Sequence, residues 1–113
     1  MPQHRRLLRA SKRRRAVLAL RSAAVAHTFE ELVAMQRAAD AAYARARQLR
    51  DQYGPPAAHP WSEQQSQTYE TAWRAARALD RDAHSAVTAY AQAHGEARQD
   101  TETRVRKAAG PPE

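Results

Sequence analysis

Cysteine is absent from the 113 residues, which removes disulfides, thiol nucleophiles and cysteine-held metal centres together. That absence fits a reducing compartment such as the cytoplasm. Isoleucine is absent as well, and Leu, Val and Phe together number 13. Three glycines in all leave no material for a glycine-rich phosphate loop. No apolar run approaches the roughly 18 residues that would span a bilayer. Acidic side chains are missing from the opening stretch, the first being Glu30. Few large apolar groups and a net charge of +7 are, by composition, marks of a chain that cannot bury enough surface to fold.

What is present argues the other way. Of 48 hydrophobic residues 27 are Ala, the strongest helix former, and Arg, Gln, Glu and Leu rank close behind it. The composition therefore allows either disorder or an all-helical domain with a thin core, and the length allows one domain at most. Arg outnumbers Lys by 17 to 2. Together with abundant Ala and Pro this is the amino-acid usage of a GC-rich, bacterial genome.

Periodicity decides between the two. Leu18, Val25, Leu32, Ala39, Ala46 and Tyr53 recur every seven residues, and Phe29, Met35, Ala42, Tyr43 and Leu49 share their face. This apolar stripe at helical spacing predicts a helix over 18–53. Thr28 and Glu31 form an S/T-x-x-E capping box that allows a fresh helix start near His27, but the unbroken stripe favours continuity. Gly54, Pro55 and Pro56 then end the helix. Ser62 and Gln65 form a second capping box, opening a helix over 62–95 whose stripe is Tyr69, Ala72, Trp73, Ala76, Leu79, Ala83, Ala86, Val87, Tyr90 and Ala93. Past Gly95 the only large apolar side chain is Val105, so 96–113 reads as a polar tail, a partly helical extension or disordered.

The short loop over 54–61 makes the helices antiparallel neighbours, an all-α helical hairpin. A turn centred near Ala57 would set Tyr43 by Ala72 and Trp73, Ala46 by Tyr69, Met35 by Leu79, Leu32 by Ala83 and Val25 by Tyr90, with large groups facing small ones at Tyr43–Ala72, Ala46–Tyr69 and Leu32–Ala83. Each stripe is wider than one partner helix needs, which predicts a homodimer in a four-helix arrangement or docking on a partner protein. Trp61, in the loop, is either an exposed contact anchor or the cap on the end of the core.

Few constellations carry chemistry. Asp80 with His84 and His27 with Glu31 are spaced i, i+4, as a ligand pair would be. A metal needs three or four converging ligands, and no third group joins either pair, so both read as solvated side-chain pairs. His59 and His94 have no partner, and no Ser–His–Asp arrangement follows from the spacings. The chain reads as no enzyme, with no cofactor and no metal.

The stretch "WSEQQSQTY" sets Trp61 at the head of the second helix and Tyr69 eight residues later. It resembles the Trp-Xaa-Gly (WXG) helical-hairpin proteins of bacteria, which are about this long and are exported as dimers. The resemblance covers about residues 18–95 and implies partner-binding positions at Trp61 and Tyr69. Glu63 stands where that family has its glycine. Tyr90 is followed four residues later by His94 rather than by the acidic residue of the family's export signal. The loop is longer and richer in Pro, and the Arg-rich opening is foreign to the family, so no secretion role is carried over.

That opening, residues 1–21, holds eight basic side chains and no acidic one. The seam stops before Leu18, and the charges surround the helix on all sides, which argues against a membrane-surface helix. Arg5, Arg6, Arg9, Lys12, Arg13, Arg14 and Arg15 suit phosphate contacts, as a flexible arm or a helical extension over 1–17. Such contacts position a protein on DNA or RNA without reading its sequence. Acidic Glu96, Asp100 and Glu102 would neutralise part of this charge if both helices ran their full lengths. A targeting reading also exists: a basic n-region, "AVLAL", then "AVA" at 24–26. Cleavage there would remove Leu18 and Val25 from the seam. The sequence thus predicts a cytoplasmic nucleic-acid-binding hairpin, with an interaction adaptor or an exported hairpin as the alternative.

Overall fold

The computed structural model describes residues 27–111. They form three helices, with no strand among the described residues: α1 (Phe29–Tyr53), α2 (Glu63–Ala93) and α3 (Arg98–Ala109). The expected helix portion 18–26 and the arm over 1–17 lie outside these residues.

Helix α1 begins at its capping box. Thr28 is extended, at φ −76° and ψ 165°. Its hydroxyl accepts the Glu31 backbone N–H at 3.2 Å, and the Glu31 carboxylate accepts the Thr28 N–H at 3.4 Å. Two orphan donors of the first turn are thereby satisfied. This corrects the continuous helix over 18–53: the local cap, rather than the apolar stripe running through it, sets the boundary. Ser62 and Gln65 cap α2 in the same reciprocal way, at 3.1 and 3.0 Å.

Helices α1 and α2 lie side by side and antiparallel, with Tyr43 against Trp73 and Phe29 against Tyr90, ring centroids 5.3 and 6.3 Å apart. Ala39, Ala46 and Ala76 are fully buried between them; without bulky side chains, the backbones can come close. The pairing differs from a turn centred on Ala57. Tyr90 meets Phe29, the loop between Tyr53 and Glu63 being centred on Ala58 and the register shifting further towards the open end; the expected pairing of Val25 with Tyr90 falls outside the described residues.

The larger correction concerns the tail. Beyond α2 the chain does not extend; it reverses. Gly95 adopts φ +63°, the left-handed conformation in which a side chain costs roughly 1–2 kcal/mol. The Glu96 N–H bonds to Ala91 O at 2.9 Å and the Gly95 N–H to Gln92 O at 3.4 Å. These are the two bonds of a Schellman motif, which satisfies the last carbonyls of α2 and turns the chain back. Helix α3 then packs on both earlier helices. Val105 is 1% exposed and joins Leu32, Ala86 and Val87 in the core, with Phe29, Met35 and Tyr90 around them.

Helix α3 explains two burials outside the α1 stripe, Val33 and Gln36. Both lie on the flank leading to Arg37, whose guanidinium donates to Ala108 O and Ala109 O at 3.2 and 3.4 Å. Conversely, Leu79 and Trp73, both placed in the α2 stripe, are each 38% exposed, and Leu79 is no core partner of Met35. Val105→Ala should lower unfolding free energy by about 2 kcal/mol, the lower range for large-to-small core truncations, and Gly95→Ala by roughly 1–2 kcal/mol. Urea denaturation followed by circular dichroism measures both.

Candidate functional site

The seven arm residues, Arg5, Arg6, Arg9, Lys12, Arg13, Arg14 and Arg15, all lie outside the described residues. Trp61 and Tyr69 are described, and they are brought together. Trp61 is half-buried; its indole N–H donates to Gly54 O at 2.8 Å, tying the two ends of the loop. Its ring sits edge-on between Tyr53 and Tyr69, at 5.5 and 5.1 Å. Tyr69 stacks on Trp73 at 6.5 Å, and Trp73 meets Tyr43. Five rings thus form one chain from the loop into the α1–α2 seam. Such contacts add roughly 0.5–1.5 kcal/mol each beyond their buried area, so Trp61 closes the end of the core.

Asp80 and His84 face each other at 3.9 Å, and His84 has a further partner. Its Nδ1 accepts from the Arg98 guanidinium. Arg98 also donates from Nε to Thr88 Oγ1 at 3.0 Å and from Nη1 to Glu102 at 2.8 Å. Arg106 closes on the other oxygen of Glu102 at 3.1 Å. This network clips α3 to α2 through side chains that are partly exposed. The spacings in the sequence could not show it, because Arg98 reaches His84 and Thr88 only after the reversal at Gly95. A signal was present in the small stripe Ala97, Thr101, Val105 and Ala108, spaced as one helix face, but it carries a single large apolar group.

A second set of contacts ties α3 to the turn before it and, through Arg104, to α1. Thr101, fully buried, donates to the Glu96 carboxylate at 2.8 Å. Arg104 donates to the same carboxylate at 2.9 Å and lies over the Phe29 ring at 5.0 Å. A guanidinium on an aromatic face is favourable, and Glu96 keeps its orientation. Three carboxyls are held below their ordinary range. For Glu96 the Thr101 hydroxyl is the largest cause, with Arg104 adding to it against partial desolvation. For Glu31 it is the hydrogen bond to His27, then the Thr28 backbone N–H. For Glu102 desolvation pushes upward, but the bonds from Arg106 and Arg98 together outweigh it.

No three His, Cys, Asp or Glu side chains converge as metal ligands among the described residues. A shallow cleft runs between Arg37, Asp40 and Arg45 of α1 and Ala109–Pro111 at the end of α3. No described helix is long and apolar enough to cross a membrane. The chain matches no protein-family model, no curated protein and no solved structure.

The lowered carboxyls set the acid response. Ionised Glu31, Glu96 and Glu102 stabilise the fold above the ordinary carboxyl value of 4.5. That stability is lost as pH falls from there through their depressed folded values. Urea midpoints should be flat above this window and fall below it. Arg98→Ala, which leaves Glu102 with one cationic partner, should lower the midpoint at neutral pH and flatten the decline.

Proposed function

We propose that this chain is a small, non-enzymatic helical hairpin that self-associates and binds nucleic acid through its N-terminal arm. The contacts are electrostatic, from Arg5, Arg6, Arg9, Lys12, Arg13, Arg14 and Arg15 to phosphate oxygens, and largely independent of base sequence. One observation carries the reading. Residues 27–111 hold eleven basic and eleven acidic side chains, so the surplus positive charge lies ahead of them. A neutral helical body with all its surplus cations on one terminal segment has the charge layout of a phosphate-binding arm on a scaffold. The same layout fits a cytoplasmic protein that meets DNA or RNA there.

The alternative is a protein-interaction adaptor or exported hairpin in which the arm is incidental and the Trp61–Tyr69 end meets a partner. The half-buried state of Trp61 and its bond to Gly54 support a structural role for that residue instead. Against DNA and RNA in a salt series, the full chain should bind with a log–log slope as steep as about −6 on duplex DNA if all seven cations are engaged. Deleting residues 1–17 should abolish binding. No binding at low salt, or equal binding by the truncated chain, would overturn the reading in favour of the adaptor.

A further inference from the structure

Helix α3 covers only one face of the α1–α2 layer. It reaches α2 through Arg98 on His84 and Thr88, and α1 through Arg104 on Phe29. Ala38 is nine residues from Phe29 and Leu79 nine residues from Thr88, in each case half a turn around the helix. Both therefore lie on the opposite face, where no described element covers them. Their exposure agrees: Leu79 is 38% exposed, and Ala38 and Ala75 are exposed beside half-buried Met35, Ala42 and Ala72. The Tyr43–Trp73 contact fixes the level. Five residues back along α1 lies Ala38 and six forward along α2 lies Leu79, and the Phe29–Tyr90 contact shows the register drifting that way, so the two sit side by side.

The charges at the ends of this face identify its occupant. Along α1 it reads Glu31, Met35, Ala38, Ala42, Arg45: an acid at one end, a base at the other, each seven residues from Ala38. We propose that a second copy of this chain docks here, α1 against α1 in antiparallel, about a two-fold axis through Ala38 and Leu79. That rotation sets Glu31 against the partner's Arg45, and Arg45 against the partner's Glu31. A two-fold parallel to the helices would instead keep each charge at its own end, with no acid–base pairing between the α1 helices. An isologous interface must be complementary to itself, and this face is. The small centre lets the layers approach, and the two Leu79 side chains fill it. Glu31 keeps its capping bonds through Oε1, leaving Oε2, now on His27, at the rim. The Arg45 side chain borders both this face and the cleft beside Ala109–Pro111.

This inference rests on the self-association proposed above and is independent of the nucleic-acid arm. The test uses the full chain without nucleic acid. Sedimentation equilibrium should show a dimer across the micromolar range. Leu79→Glu should raise its Kd at least about tenfold, and Arg45→Glu should weaken it too. Arg47→Glu, the same charge change on the other side of α1, should leave it unchanged. The chain has no cysteine, so Ala38→Cys supplies one thiol per copy, on the proposed axis. Mild oxidation should then give a disulfide-linked dimer, whereas Asp51→Cys should give none. Circular dichroism checks that each variant is helical. A monomer, a dimer indifferent to Leu79→Glu, or Ala38→Cys that does not cross-link overturns the proposed face. Loss of DNA or RNA binding alone leaves it standing.

Discussion

The burial of Val105 is the contact on which the arrangement of the helices depends. Alanine faces let α1 and α2 approach closely, but they remove little apolar surface from water, and a pair of such helices alone is marginal. Burying one further aliphatic side chain contributes roughly 1.5–3 kcal/mol, a sizeable share for a domain this thin. Val105 supplies it by meeting Leu32, Ala86 and Val87, and it reaches them only because Gly95 turns the chain. Polar groups then secure what the apolar contact places. Arg98 clips α3 to α2, Arg37 holds its last carbonyls, and Thr101 and Arg104 share Glu96.

Charge is handled differently in the two parts of the chain. Around α3 the arginines beside the core each meet a defined group, whether a carboxylate, a hydroxyl, an aromatic face or a carbonyl. The body as a whole balances its signs. The opening segment has no such balance, and its cations have no acid within their own stretch of sequence. Structural arginines and surplus arginines are thus separated along the chain, which supports assigning phosphate contact to the latter.

Much of the helical content was legible because its signals are local. Thr28–Glu31 and Ser62–Gln65 mark two helix starts, Gly54 with two prolines marks a stop, and alanine spacing marks the buried seam. Continuity through Thr28 was misjudged because hydrophobic spacing reports on burial and says nothing of the backbone at a cap. The folded-back α3 was missed because one valine and one threonine are too small a signal for a buried face. With α3 unseen, the tie between His84 and Arg98 was invisible, and Asp80–His84 read as an isolated pair. Val33 and Gln36, outside the α1–α2 stripe, were missed for the same reason. Of the site residues, Trp61 and Tyr69 were singled out as partner-binding positions by their place around the loop, and the fold sets their rings against each other. Their joint role in a chain of five rings depends on Tyr53 and Tyr43 of α1, which no local spacing ties to them; only the step from Tyr69 to Trp73, four residues on along α2, is local.

The reversal at Gly95 also determines how the described ends lie in space. Arg104 lies on Phe29, so the start of α1 and the body of α3 share one end of the layer, while the Trp61 loop occupies the other. The first described residues therefore lie beside the last helix, and the loop over 54–61 lies at the far end from them. A single cut in that exposed loop would leave two fragments still gripping each other through α1, α2 and α3. The molecule is built in the manner of a split protein, whose halves are joined by packing at one end and by a short covalent strap at the other.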